Sequence, residues 1–270
     1  MLELHQPSPE IKVPEKKADR EIPLPALETC PICMEYACFP WSAEADGVKR
    51  MWMLCECGTF FQVKGQEPLK EKDRTPDVEA LKDDKARAYW LDRSTWMKRL
   101  YFPLIEDMQH GRKVLEYRFT HADTLEWMRN RGWLPVGVDD CPAVDAGDNP
   151  NQSCAFMDVC MVDPFRRFNL IWMADSIQSM EHPGPALLRA YGMLEKDGLL
   201  FVSAPDVSFF FRAHPERFGH FDPTANRLLM RGEGFAKLAE RLGFETVLLR
   251  KSASRCGVVY DQFHWLGVRR

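Results

Sequence analysis

Between Phe168 and Asp206 the chain switches from one apolar pattern to another and back, and few folds accept both. Leu170 to Met173 is a short apolar run without alternation, as a parallel strand covered on both faces requires. Leu187, Leu188, Tyr191 and Leu194 then recur at helical spacing. Lys196-Asp197-Gly198 reads as the stop of that helix, and Leu199 to Val202 as the start of a second buried strand. A strand, a crossing helix and a strand make the repeating unit of a doubly wound α/β sheet.

Units of the same kind flank this one. Lys113 to Tyr117 reads as a first strand, His121 to Arg131 as a helix closed by Gly132, and Leu134 to Val138 as a second strand. Ser153 to Met157 is a weak third, Arg167 to Met173 the fourth and Leu199 to Ser203 the fifth. A helix over Gly232 to Leu242 ends at Gly243, and Phe244 to Arg250 and Val258 to Val268 form a last pair able to turn back antiparallel. The expectation is a seven-stranded, mainly parallel sheet over residues 111–270.

Upstream, residues 1–27 are rich in Pro, Lys and Glu and read as a flexible leader. Residues 28–65 form a compact Cys-rich unit with strand-like runs at Met51 to Leu54 and Thr59 to Val63. Residues 66–110 are a charged linker followed by a helical pattern from Asp77 to His110, which Pro103 should split in two.

The 270 residues suffice for one full α/β domain and a small accessory unit. A net charge of −4 supplies no global field toward nucleic acid or anionic membrane. No apolar run approaches the roughly 18 residues of a membrane span, and the acidic, Pro-rich start does not read as a signal peptide. Nine cysteines, an odd number with four in two close pairs, fit a reducing compartment, with the cytoplasm as the default.

Those pairs, Cys30-Pro31-Ile32-Cys33 and Cys55-Glu56-Cys57-Gly58, can place four thiolates around a structural Zn²⁺, in the manner of a zinc ribbon. The second pair is one residue shorter than the common Cys-x-x-Cys, so its turn must differ. Reduced, half-buried thiols are the alternative. Cys141, Cys154, Cys160 and Cys256 show no ligand spacing.

The stretch Phe168-Asn169-Leu170-Ile171, Glu181-His182-Pro183 and Leu199-Leu200-Phe201-Val202-Ser203-Ala204-Pro205 resembles the middle of a class I S-adenosylmethionine-dependent methyltransferase of the small-molecule type. The likeness extends from Lys113 to the C-terminus. It implies a cofactor lying across the carboxyl ends of the first strands, with the helices before them packed over it as a lid. It also implies an acidic residue after the second strand for the ribose hydroxyls, and another after the third for the adenine. Carried over by position, the cofactor residues are Glu116, Asp139, Asp158 and Met173. Arg118, Thr120 and Ala122 stand where the family has three glycines, Asn169 replaces an Asp, and Gln178-Ser179 replaces Glu-His. Side chains at the glycine positions fill space the cofactor normally uses.

Methyl transfer is an in-line displacement that requires positioning and, for some acceptors, removal of a proton. His182, His214 and His220 fall in loops where a substrate should sit, and each is a candidate base. Phe209, Phe210, Phe211, Phe218 and Phe221 fit either a wall for a planar acceptor or a surface for a protein partner or second copy. The reading is a methyltransferase with an unidentified acceptor. The alternative is a catalytically inactive binding or scaffold protein that keeps the fold.

Overall fold

The computed structural model describes residues 28–36, 39–45, 48–63, 84–117, 122–138, 165–180, 183–207, 226–252 and 262–270. The expected leader, the weak third strand and the Phe-rich stretch lie outside them. In chain order come strands β1 (Phe39–Ala45), β2 (Val48–Leu54) and β3 (Phe60–Gln62), helix α1 (Asp84–Met108), β4 (Lys113–Tyr117), α2 (Ala122–Arg129), β5 (Leu134–Val138) and β6 (Phe168–Ala174). There follow α3 (Pro183–Met193), β7 (Leu194–Pro205), β8 (Leu228–Leu229), α4 (Gly232–Arg241), β9 (Phe244–Ser252) and β10 (Gln262–Arg269).

The described strands of the main sheet run β5-β4-β6-β7-β10-β9. β4 is parallel to β5 and β6, and β6 is parallel to β7. β10 enters antiparallel between β7 and β9, so the last pair turns back as the sequence suggested. The chain moves outward in one direction from β4 to β5 and in the other from β6 to β7. The strand order therefore reverses between β4 and β6, and a sheet of this kind opens a crevice at such a point, above its carboxyl ends.

Both faces are covered. Val114, Leu170, Trp172, Leu199, Phe201 and Leu266 pack against Met97, Tyr101, Phe102 and Ile105 of α1 and Leu125 and Met128 of α2. Trp172 and Phe201 stack at 3.8 Å between centroids beneath this layer. The opposite face, with Leu115, Ile171, Leu200, Val202 and Trp265, carries Leu187 and Ala190 of α3 and Phe235 and Ala239 of α4. Strands buried on both sides explain the runs without alternation.

Three sequence expectations change. α1 passes through Pro103 unbroken. Pro103 is exposed, so the carbonyl of Arg99, four residues back, loses its helical donor on the side where water replaces it. α3 ends at Met193 rather than near Lys196, and β7 starts at once. Glu195 to Gly198 then jut from the strand, with Asp197 left-handed at φ 61° and its carbonyl accepting from Gln109 Nε2 at 2.5 Å. β1, whose Pro, Ser and Glu disguise it, forms a hairpin with β2.

The Cys-rich unit is built into the fold. β8, from the far end of the chain, pairs with β3 and completes a sheet of order β1-β2-β3-β8. Cys30, Ile32, Met53 and Phe61 share one apolar core with Leu228, Met230 and Phe235. Among the described residues, no helix is long and apolar enough to cross a membrane.

Candidate cofactor crevice and metal centre

At the order reversal, β4 ends with Glu116 and Tyr117 and β6 with Met173 and Ala174. Glu116 sits on the α1 face, level with Trp172 of β6 and Gly137 of β5, and is 4% exposed. Its two oxygens are both engaged. Lys98 Nζ, from α1, lies 2.5 Å from Oε1, and Thr124 Oγ1, from α2, donates to Oε2 at 3.2 Å. The Lys98 ammonium also lies 5.6 Å from the centre of the Trp172 ring. The partner of this carboxylate is not one of its sequence neighbours. The observed one comes from a helix turn 18 residues upstream.

Met173 is buried in the core on the opposite face, in register with Val202. Beyond it Asp175 adopts φ 49° and ties three strands together. Its N–H donates to Ser203 O at 3.0 Å, and its Oδ1 lies 3.3 Å from both Ser203 Oγ and Gln262 Nε2. A short 3₁₀ turn, Ile177–Ser179, follows where the resembling family has Glu-His. Asp206, at the end of β7, accepts from Gly232 N at 2.8 Å and pairs with Lys251 Nζ at 2.8 Å, which places a carboxylate on the N-terminus of α4.

His264 of β10 lies level with Ser203, its Nδ1 2.6 Å from Tyr101 Oη, with Trp96 tilted over it at 5.6 Å between centroids. Burial, and secondarily the Arg250 cation, pushes its pKa down to about 4. Two buried polar atoms near this edge, Ser176 Oγ and His264 Nε2, have no hydrogen-bond partner. Asp139 and Asp158, and His182, His214 and His220, lie outside the described residues.

Lys98 and His264 carry a signal that residue-type reasoning passed over. Lys98 falls at helical spacing with Tyr101, Phe102 and Ile105, a cation inside an apolar stripe. His264 interrupts the apolar run Phe263 to Leu266.

The four predicted thiols come together. The sulfur atoms of Cys30, Cys33, Cys55 and Cys57 all lie within 4.8 Å of one another, and none is in a disulfide. Cys30–Cys57 is 3.7 Å and Cys33–Cys55 is 3.3 Å. A tetrahedral zinc with bonds of about 2.3 Å has sulfur–sulfur edges of about 3.8 Å, so the donor set fits. Two turns present the pairs. Met34 N and Cys30 N close the first on Cys30 O and Glu35 O. Gly58, at φ 88°, lets the shorter second pair turn, with its N–H on Cys55 O at 2.9 Å. Cys57 is drawn down to about 4 by hydrogen bonding from Cys30, while burial pushes Cys55 up to about 12 and the bond to Cys57, with burial, raises Cys30. Four thiols this close cannot all ionise without a cation among them, because like charges at such distances repel. Arg241 of α4 donates to the carbonyls of Ile32 and Cys33, so the first turn is held by the main domain.

A mainly parallel sheet with helices on both faces, an antiparallel strand inserted near one edge and a crevice at the order reversal define the S-adenosylmethionine-dependent methyltransferase fold of class I. The family model described as a methyltransferase domain matches residues 82–249, and the chain belongs to that family. Comparison with curated protein sequences gives no match. Among solved structures, the chain is similar to a Burkholderia thailandensis 1,6-didemethyltoxoflavin-N1-methyltransferase bound to its substrate and S-adenosylhomocysteine. The TM-score there is 0.50 at 14% identity, over 85% of this chain and 98% of that one. A Synechocystis magnesium protoporphyrin IX methyltransferase with S-adenosylhomocysteine gives 0.52 at 13%, over 70% and 88%. An S-adenosylmethionine-dependent methyltransferase from Archaeoglobus fulgidus gives 0.52 at 13%, over 64% and 93%. At these identities the likeness is one of fold.

Proposed function

We propose that the protein transfers a methyl group from S-adenosylmethionine to a small-molecule or macromolecular acceptor, above the carboxyl ends of β4 and β6. The observation that carries this reading is the family fold itself, with its strand order reversing between β4 and β6. The cofactor supplies the electrophilic methyl on its sulfonium. By the family resemblance Asp139, next in sequence after β5, would accept hydrogen bonds from the ribose hydroxyls, and Asp158 would recognise the adenine amino group. Glu116 and Met173, one residue below the ends of their strands, bound the crevice from beneath. One of His182, His214 and His220 takes the proton that an O–H or N–H acceptor releases. The cysteine cluster holds a structural Zn²⁺, and its closed shell of four sulfurs leaves no position for substrate.

A second reading, a binding or scaffold protein without turnover, is favoured by one observation: the Glu116 carboxylate is already fully engaged. Transfer of label from methyl-tritiated cofactor into any small-molecule or macromolecular fraction of a cell extract separates the two. Turnover that the wild type supports and Asp139→Ala loses, with about 100-fold weaker S-adenosylhomocysteine binding in the variant, agrees with the enzyme. Tight cofactor binding without any labelled product agrees with the scaffold.

A further inference from the structure

We infer that Lys98 is a specificity-determining residue: an internal counter-cation that takes Glu116 away from the ligand, so that the crevice reads the adenosyl half of its cofactor and not the amino-acid half. The inference rests on the cofactor reading above and adds to it which part of the ligand is recognised.

Glu116 stands one residue below the end of β4 at the order reversal, where a carboxylate can meet a cationic group of a bound ligand. S-adenosylmethionine and S-adenosylhomocysteine both carry an ammonium on their amino-acid end. Here an ammonium is already present, 2.5 Å from Oε1, on a side chain 1% exposed. The second oxygen is held by Thr124. α1 supplies one partner and α2 the other, so each oxygen has a partner from within the fold and the charge is balanced by Lys98.

A second cation brought to the same carboxylate gains little and meets the first as a like charge. A buried ion pair is also costly to open, since removing either partner leaves an uncompensated charge. The sequence after β4 departs from the family in the same sense. Arg118, Thr120 and Ala122 replace the small residues that would let the amino-acid end approach the backbone. The carboxylate contact is thus withdrawn from that end of the ligand, and the loss of the glycines in the sequence points the same way.

Calorimetry with two probes tests this. S-adenosylhomocysteine carries the amino-acid end, and 5′-methylthioadenosine keeps the adenosine and thioether without it. The wild type should bind the two within about tenfold of each other, because a charge-assisted hydrogen bond worth that factor is missing. Lys98→Met should widen the preference for S-adenosylhomocysteine by about tenfold or more, as the carboxylate becomes available to the ligand's ammonium. Lys98→Met/Glu116→Gln should return it to the wild-type ratio, and circular dichroism checks the fold of each variant. If Lys98→Met alone fails to fold, Lys98→Gln, which keeps a donor without the charge, takes its place. A wild-type preference above about tenfold, or no widening on loss of the cation, overturns the inference while leaving the cofactor reading intact. Absence of binding by either probe to every variant defeats both.

Discussion

A lysine in the apolar stripe of a helix and a histidine inside an apolar strand are costly placements, and both occur on the same face of the sheet. Lys98 is compensated by a carboxylate. His264 is compensated by staying neutral, with Tyr101 on one nitrogen. The folded imidazole protonates only near pH 4, against 6.5 for an ordinary histidine, so as pH falls the unfolded chain takes up its proton first. The stabilisation is complete above pH 6.5 and is lost between there and pH 4. By pH 5 this group alone should cost about 2 kcal/mol. Urea unfolding at pH 7 and pH 5 should show a smaller loss in His264→Phe than in the wild type. Equal losses would mean that His264 titrates normally. Neither residue's role was legible from residue type, because each depends on a partner on another element: Glu116 of β4 and Tyr101 of α1.

Elements were read well where apolar pattern and stop signals agreed. β4 and β5 fall on the expected residues, and Gly132 and Gly243, at φ 82° and 100°, close their helices as left-handed glycines. They were read poorly where tertiary contacts override local signals. The layer packed against the sheet carries α1 through Pro103, and β8, two residues long, exists because β3 offers it an edge. The cysteine spacing revealed a cluster but not its integration. Because β8, Arg241 and the shared core join that unit to α4, metal and methyltransferase domain should unfold together. Elemental analysis should find about one zinc per chain. Chelation should lower stability by about 3 kcal/mol or more, roughly 10 °C, in one transition followed by helical circular dichroism. Less than about half an equivalent of zinc, or an unchanged midpoint after chelation, would remove the metal from the account.

At the scale of the molecule, everything proposed depends on the crevice between β4 and β6. Its sheet was legible because alternating strand and helix patterns admit few arrangements. Its contents were less so: the carboxylate of Glu116 was visible as a letter, and the cation that occupies it was not. The acidic positions are kept in the sequence while the glycines are not, and the one such carboxylate that is described, Glu116, is paired with Lys98. The most direct measurement is a calorimetric titration of the zinc-loaded wild type with S-adenosylhomocysteine. The account predicts saturable binding at about one site per chain, with a matching rise in unfolding temperature, since a ligand of the native state must stabilise it. No heat and no stabilisation at about millimolar ligand would contradict it.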